Sequence, residues 1–128
     1  MGFRVTRERF ERLVEEAIST LPDEYREHFT NVAVVVRDYP DKKDESRAGT
    51  GDDLLLGLFN GVPYPGKGGF FEVPAPFPDR ITLFQRNIEQ ICSSEEELIE
   101  EIRATIIHEV GHYFGLSEED LQEYEDDL

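Results

Sequence analysis

Residues 105–120 read TIIHEVGHYFGLSEED, and how this stretch is read decides how the chain is put together. It holds His108 and His112, two of the three histidines in the chain, with Glu109 between them. Around it, Leu98, Ile99, Ile102, Ile106, Val110 and Tyr113 recur at three- and four-residue spacing. That is the pattern of an amphipathic helix with one buried stripe. Ser94 opens the helix, with Glu97 three residues on. This pair is a capping-box signature: the hydroxyl takes one orphan N–H and the carboxylate reaches back to another. Gly115 suits the helix end because it tolerates the left-handed backbone found there. Ser117 then begins a last acidic helix, SEEDLQEYEDDL.

On a helix, residues four apart lie on one face, ~5–6 Å apart at Cβ. The His108 and His112 imidazoles can therefore converge on one ion at ~2.0–2.1 Å. Glu109 is turned about 100° from His108, so it flanks such an ion rather than ligating it. From there it can accept a proton from activated water, which is why H-E-x-x-H reads as a zinc hydrolase motif. The competing reading is two half-buried histidines on an amphipathic helix. His28 stands alone near a turn and reads as a surface residue.

A catalytic zinc takes three protein ligands and a water. Leu116, one turn after His112, cannot serve. Beyond Gly115 the chain offers Glu118, Glu119 and Asp120. With Ser117 as N-cap, Asp120 falls at the third helical position, where it can cap Ser117 in return. Glu118 falls in the first turn and can face back toward the ion. Both acids stay open as the third ligand on these grounds.

The run His108-Glu-Val-Gly-His112-Tyr-Phe-Gly115-Leu-Ser-Glu118 resembles the HExxHxxGxx[D/H] signature of zincins with metzincin and Asp-zincin spacing. With LLLGLFNGVP and RITLFQR upstream, the chain looks like the small bacterial proteins called minimal metallopeptidases, over most of its length. The resemblance implies a zincin-like α+β fold and a zinc-dependent peptidase carrying one zinc per chain. It implies His108, His112 and Glu118 as ligands and Glu109 as general base. Glu118 departs from the pattern, which has Asp or His there, and its extra methylene keeps Asp120 as a rival. The implied partner is a peptide or protein substrate. The alternative is a non-catalytic zinc-binding module that presents an acidic surface; an intact Glu109 favours the enzyme, because a structural site has no use for a base.

Composition bounds the rest. A chain of 128 residues suits one domain, spanning residues 1–128. With 13 basic and 29 acidic residues its net charge is −16, which argues against nucleic acid and anionic membranes as partners. The single cysteine, Cys92, excludes an intramolecular disulfide and fits a reducing, cytoplasmic compartment. The opening MGFRVTRERFERL lacks the apolar core of a signal peptide. Gly2 and Thr6 fit the loose myristoylation pattern, but a helix beginning right behind them favours a folded N-terminus. Nothing in the sequence fixes the oligomeric state.

Upstream of the key helix, Phe10, Leu13, Val14, Ala17, Ile18 and Leu21 predict a helix over 6–21, stopped by Pro22. A helical turn is expected at Glu24–His28, and strands at Val32–Val36, Leu54–Asn60 and Arg80–Ile88. Residues 39–51 read as an exposed loop and 61–78 as an ordered irregular one. The segment GVPYPGKG nearly spells a P-loop but has Gly68 in place of the magnesium-binding hydroxyl, and no helix can follow it. A flap beside the site is its better functional reading. Tyr64 and Tyr113 are candidates for a second oxyanion stabiliser. Strand 80–86 is a candidate to pair an extended peptide, although completing the sheet is the simpler role. The expected architecture is α+β: a small sheet of three to four strands packed against helices, with H-E-x-x-H on the long helix of the C-terminal half.

Overall fold

The computed structural model describes residues 3–26, 32–48, 54–60 and 79–113, without the side chains at 24, 25, 46–48, 112 and 113. Helix α1 (Arg7–Ser19) starts as the sequence directs, with the Arg9 amide donating to the Thr6 hydroxyl at 3.1 Å. Phe10, Leu13, Val14 and Ala17 form its buried face. A single turn, α2 (Asp23–Arg26), follows Pro22.

Three strands make one mixed sheet in the order β1-β3-β2. Strand β1 (Val32–Arg37) runs parallel to β3 (Asp79–Phe84), with Val34 opposite Ile81. Strand β2 (Gly57–Asn60) runs antiparallel to β3, with Gly57 opposite Leu83. Strand β3 is thus the central strand, paired on both sides. Its role is to complete the sheet, so it offers no edge to a peptide.

Side chains alternate across the sheet, as a two-residue period requires. Ile81 and Leu83 point into the main core with Phe10, Leu13, Ile102 and Ile106. Phe84 points the other way, into a small cluster with Leu55 and Leu58.

The sequence expectations need correcting in three places. Residues 39–51 are not all loop: α3 (Lys42–Ala48) lies within them. Its start is a reciprocal cap, since the Asp44 amide donates to Asp41 Oδ1 at 2.8 Å and the Asp41 amide to Asp44 Oδ2 at 3.0 Å. The third strand ends at Phe84, and α4 (Gln85–Gln90) occupies the rest of the expected segment. There the buried polar residues Gln85 and Glu89 lie four apart, joined by a 3.1 Å hydrogen bond that a strand would forbid. The second strand begins at Gly57, so residues 54–56 form a separate approach segment.

Helix α5 (Glu95–Tyr113) closes the fold. Ser94 caps it as expected, its hydroxyl accepting the Glu97 amide at 3.2 Å. The returning bond comes from the Ser93 amide to Glu97 Oε2 at 2.8 Å, one residue earlier than the standard box. Leu98, Ile102, Ile106, Ile107 and Val110 are fully buried. Helix α5 packs along α1 and across the helix-facing side of β2 and β3. Among the described residues, no helix is long and apolar enough to cross a membrane.

Candidate metal centre

The segment 54–56 and helix α5 face each other across a cleft of about 280 Å³. One wall is Leu54–Gly57; the other is Glu101, Ala104, Thr105, His108 and Glu109. Two features bring the walls together. Gly57 lies on the helix-facing side of β2, where a Cβ would stand only 2.7 Å from Thr105 Cγ2. A glycine there lets the strand approach the helix one turn before His108. Segment 54–56 is then pinned by its backbone. The Leu56 carbonyl accepts the Phe84 amide at 2.9 Å, and the Leu55 carbonyl accepts Asn87 Nδ2 at 2.8 Å.

His108 and Glu109 therefore line one cleft, both half-buried. His108 Nδ1 lies 3.0 Å from the Ala104 carbonyl oxygen. A carbonyl only accepts, so this contact is a hydrogen bond in a ring that carries a proton on Nδ1. With Nδ1 so engaged, Nε2 is the nitrogen through which the ring would ligate a metal. The donor set described thus fits part of a zinc centre: an oriented imidazole with a carboxylate beside it.

His112 lies one turn further along the same unbroken helix. Its side chain, and all of Glu118, Glu119 and Asp120, lie outside the described residues, as do Gly115, the final acidic segment, Tyr64, the Tyr113 side chain, residues 61–78, Gly2 and His28. Among the described residues no three histidine, cysteine, aspartate or glutamate side chains gather as a metal-holding group.

Sequence reasoning missed the wall opposite the histidine. Leu54–Leu56 read as part of a strand, and nothing local shows that they face α5. Glu101 was within reach: it precedes His108 by seven residues, two helical turns, and so shares its face. Cys92 is buried, 4% exposed, and does not line the cleft. Burial first, and then the carboxylates of Glu101, Glu97, Glu100 and Glu89, push its thiol up to about 11. It is an inert thiol rather than a nucleophile.

Comparison with known proteins gives both a family and a shared fold. The family model of the zincin-like metallopeptidases matches residues 29–128, and the chain belongs to that family. A solved structure, a conserved hypothetical protein from Thermo thermophilus, is 20% identical and superposes with a TM-score of 0.56. The match covers 86% of this chain and 94% of that one and shows a common fold. No curated protein matches the chain.

Proposed function

We propose that this protein is a zinc-dependent peptidase that holds one zinc per chain on His108, His112 and Glu118 and uses Glu109 as its general base. The observation that carries the reading is the pairing in one cleft of Glu109 with His108, whose Nδ1 lies 3.0 Å from the Ala104 carbonyl oxygen. Membership of the zincin-like family supports it.

When bound, zinc supplies Lewis acidity, polarising a scissile carbonyl and lowering the pKa of water from 15.7 toward ~7. The chain's own residues do the rest. The Ala104 carbonyl orients the His108 ring through Nδ1, and Nε2 would be its ligating nitrogen. Glu109 removes a proton from the attacking water as the new C–O bond forms. It then passes that proton to the leaving amine as the C–N bond breaks.

The test begins with elemental mass spectrometry on tag-free protein purified without chelator. About one zinc per chain is expected, lost in His108→Ala and Glu118→Ala but kept in Asp120→Ala and Glu109→Gln. Peptide-library cleavage should fall by about 10²–10⁴-fold in Glu109→Gln. Zinc lost from Asp120→Ala instead would move the third ligand to Asp120. A zinc-loaded protein whose activity ignores Glu109→Gln would leave the non-catalytic, acidic interaction module. Protein that neither carries nor takes up zinc would end the reading.

A further inference from the structure

The side chains of α4 grip two different parts of the chain from opposite sides. Gln85 and Glu89, four apart, share one face of the helix. Asn87 is turned about 200° from each of them, onto the other face. The first face holds the extended segment ahead of α1. Glu89 Oε2 accepts the Val5 amide at 3.0 Å, Gln85 Nε2 donates to the Val5 carbonyl at 3.1 Å, and Gln85 Oε1 accepts Arg7 Nε at 2.7 Å. Just past α4, the Cys92 carbonyl accepts the Phe3 amide at 3.0 Å. On the second face, Asn87 Nδ2 donates to the Leu55 carbonyl at 2.8 Å. Leu55 belongs to segment 54–56, which leads into β2 and lines the cleft with His108 and Glu109. Its side chain packs with Leu58 and Phe84, so the backbone carbonyl is what ties it to α4.

We infer that residues Phe3–Val5 are a strap that sets the position of segment 54–56 through α4, with Asn87 as the positioning residue that passes the strap's state to the cleft. Helix α4 suits this task because it cannot hold its own shape. It has six residues, under two turns, and its N-cap residue Phe84 supplies no side-chain cap. Its geometry comes from what grips it: Ile88 in the core, the Arg86 amide on the Asp38 carbonyl at 3.1 Å, and the two faces just described. With the strap docked, the buried Gln85 and Glu89 are satisfied and α4 is held in register. With the strap displaced, both lose their Val5 partners, and α4 no longer presents Asn87 squarely to Leu55. Phe3 and Arg4 are exposed, so a partner or a modification reaches the strap from solvent. The strap is therefore a handle on the cleft from the far end of the sequence, whatever chemistry the cleft performs.

Hydrogen exchange followed by NMR tests this at the two donors that hold segment 54–56: the Phe84 amide, which donates to the Leu56 carbonyl at 2.9 Å, and the Asn87 carboxamide. Deleting residues 2–5 should speed exchange at both by about tenfold, while the amides of β1 and of the middle of α5 keep their rates. Gln85→Met, which breaks the grip with the chain intact, should do the same. Arg9→Met, which cuts the fork to Glu95 instead, should leave both donors at the parent rate. Asn87→Leu should by itself speed the Phe84 amide, and adding the deletion should then bring little more, because the path is already cut. Parent rates at Phe84 and Asn87 after the deletion would overturn the inference. So would effects of the deletion and of Asn87→Leu that simply multiply, or an acceleration shared by every amide, which is global unfolding. Neither zinc nor cleavage is read, so a protein without metal or activity would leave the strap standing, and failure of the strap would leave the peptidase reading untouched.

Discussion

Gly57 on β2 and Thr105 on α5 stand so close that a Cβ on Gly57 would lie 2.7 Å from Thr105 Cγ2, nearer than side chains tolerate. The same Cβ would meet the Thr82 carbonyl oxygen at 3.2 Å. This approach sets the width of the cleft beside His108. Gly57→Ala should therefore destabilise the protein by about 1–3 kcal/mol through overpacking. Thr105→Ser removes the offending methyl while keeping the hydroxyl that bonds the Glu101 carbonyl. The double variant should recover about half of the loss, because the Thr82 backbone cannot move aside as a side chain can. Urea unfolding of the four proteins checks this, and simple additivity would mean that the contact is relieved elsewhere.

How much of this was legible beforehand follows from the range of each interaction. Helices α1 and α5 were readable because their apolar spacing and, for α5, the Ser94 cap are local signals. The strand run at residues 32–36 was equally plain. Helix α4 was not, because RITLFQRNI alternates acceptably as a strand. What bends it into a helix is remote: the Val5 amide and carbonyl bond Glu89 and Gln85 from the far end of the chain. Helix α3 was legible in principle, since Asp41 and Asp44 have capping spacing, but its charged composition masked it. That His108 and Glu109 stand side by side on one helix was legible from spacing; that both line a cleft is what the structure adds. The leucine wall was not legible, because its place depends on Asn87 reaching the Leu55 carbonyl.

Glu89 is a carboxylate buried to 1% exposure at the joint between α4 and the N-terminal segment. It accepts the Val5 amide at 3.0 Å, Gln85 Nε2 at 3.1 Å and the Arg86 guanidinium at 2.8 Å. Arg86 keeps 24% of its side chain exposed, so only one end of the pair is fully desolvated. Removing Arg86 leaves the buried charge short of its cation, and removing Glu89 orphans two N–H donors. Arg86→Met and Glu89→Met should each cost about 2–4 kcal/mol. The double variant should cost clearly less than the sum, because neither an unpaired charge nor its lone partner then remains. Chemical denaturation of all three variants decides it, and a strictly additive result would mean that the two side chains act independently.

Cys92 should resist alkylation. With its thiol pushed up to about 11 by burial and then by Glu101, Glu97, Glu100 and Glu89, about one molecule in a thousand is thiolate at pH 8. An ordinary cysteine is about a quarter ionised there. Iodoacetamide labelling of the native protein, followed by mass spectrometry, should run at least two orders of magnitude slower than in guanidinium. Labelling in the native state at the rate of a free thiol would place Cys92 outside the core.

The fork between Arg9 and Glu95 ties the start of α1 to the start of α5, with Nε to Oε2 at 2.8 Å and Nη2 to Oε1 at 2.6 Å. The Arg9 hydrogen bonds hold the Glu95 carboxyl below its ordinary value of 4.5 and, in return, raise Arg9. A carboxyl with a depressed folded value binds fewer protons than in the unfolded chain, so it adds stability as pH rises. That contribution is fully present above pH 4.5 and is lost as pH falls through the lower folded value. Glu95→Gln should therefore be less stable than the parent at neutral pH, and the difference should close on acidification as the Glu95 carboxyl takes up its proton and loses its charge. Added salt should narrow the neutral-pH difference, because both groups are exposed to solvent. Thermal unfolding followed from pH 7 down to pH 3 checks both trends. A difference that persists unchanged into acid would show that Glu95 acts through packing or capping at the head of α5, and not through its charge on Arg9.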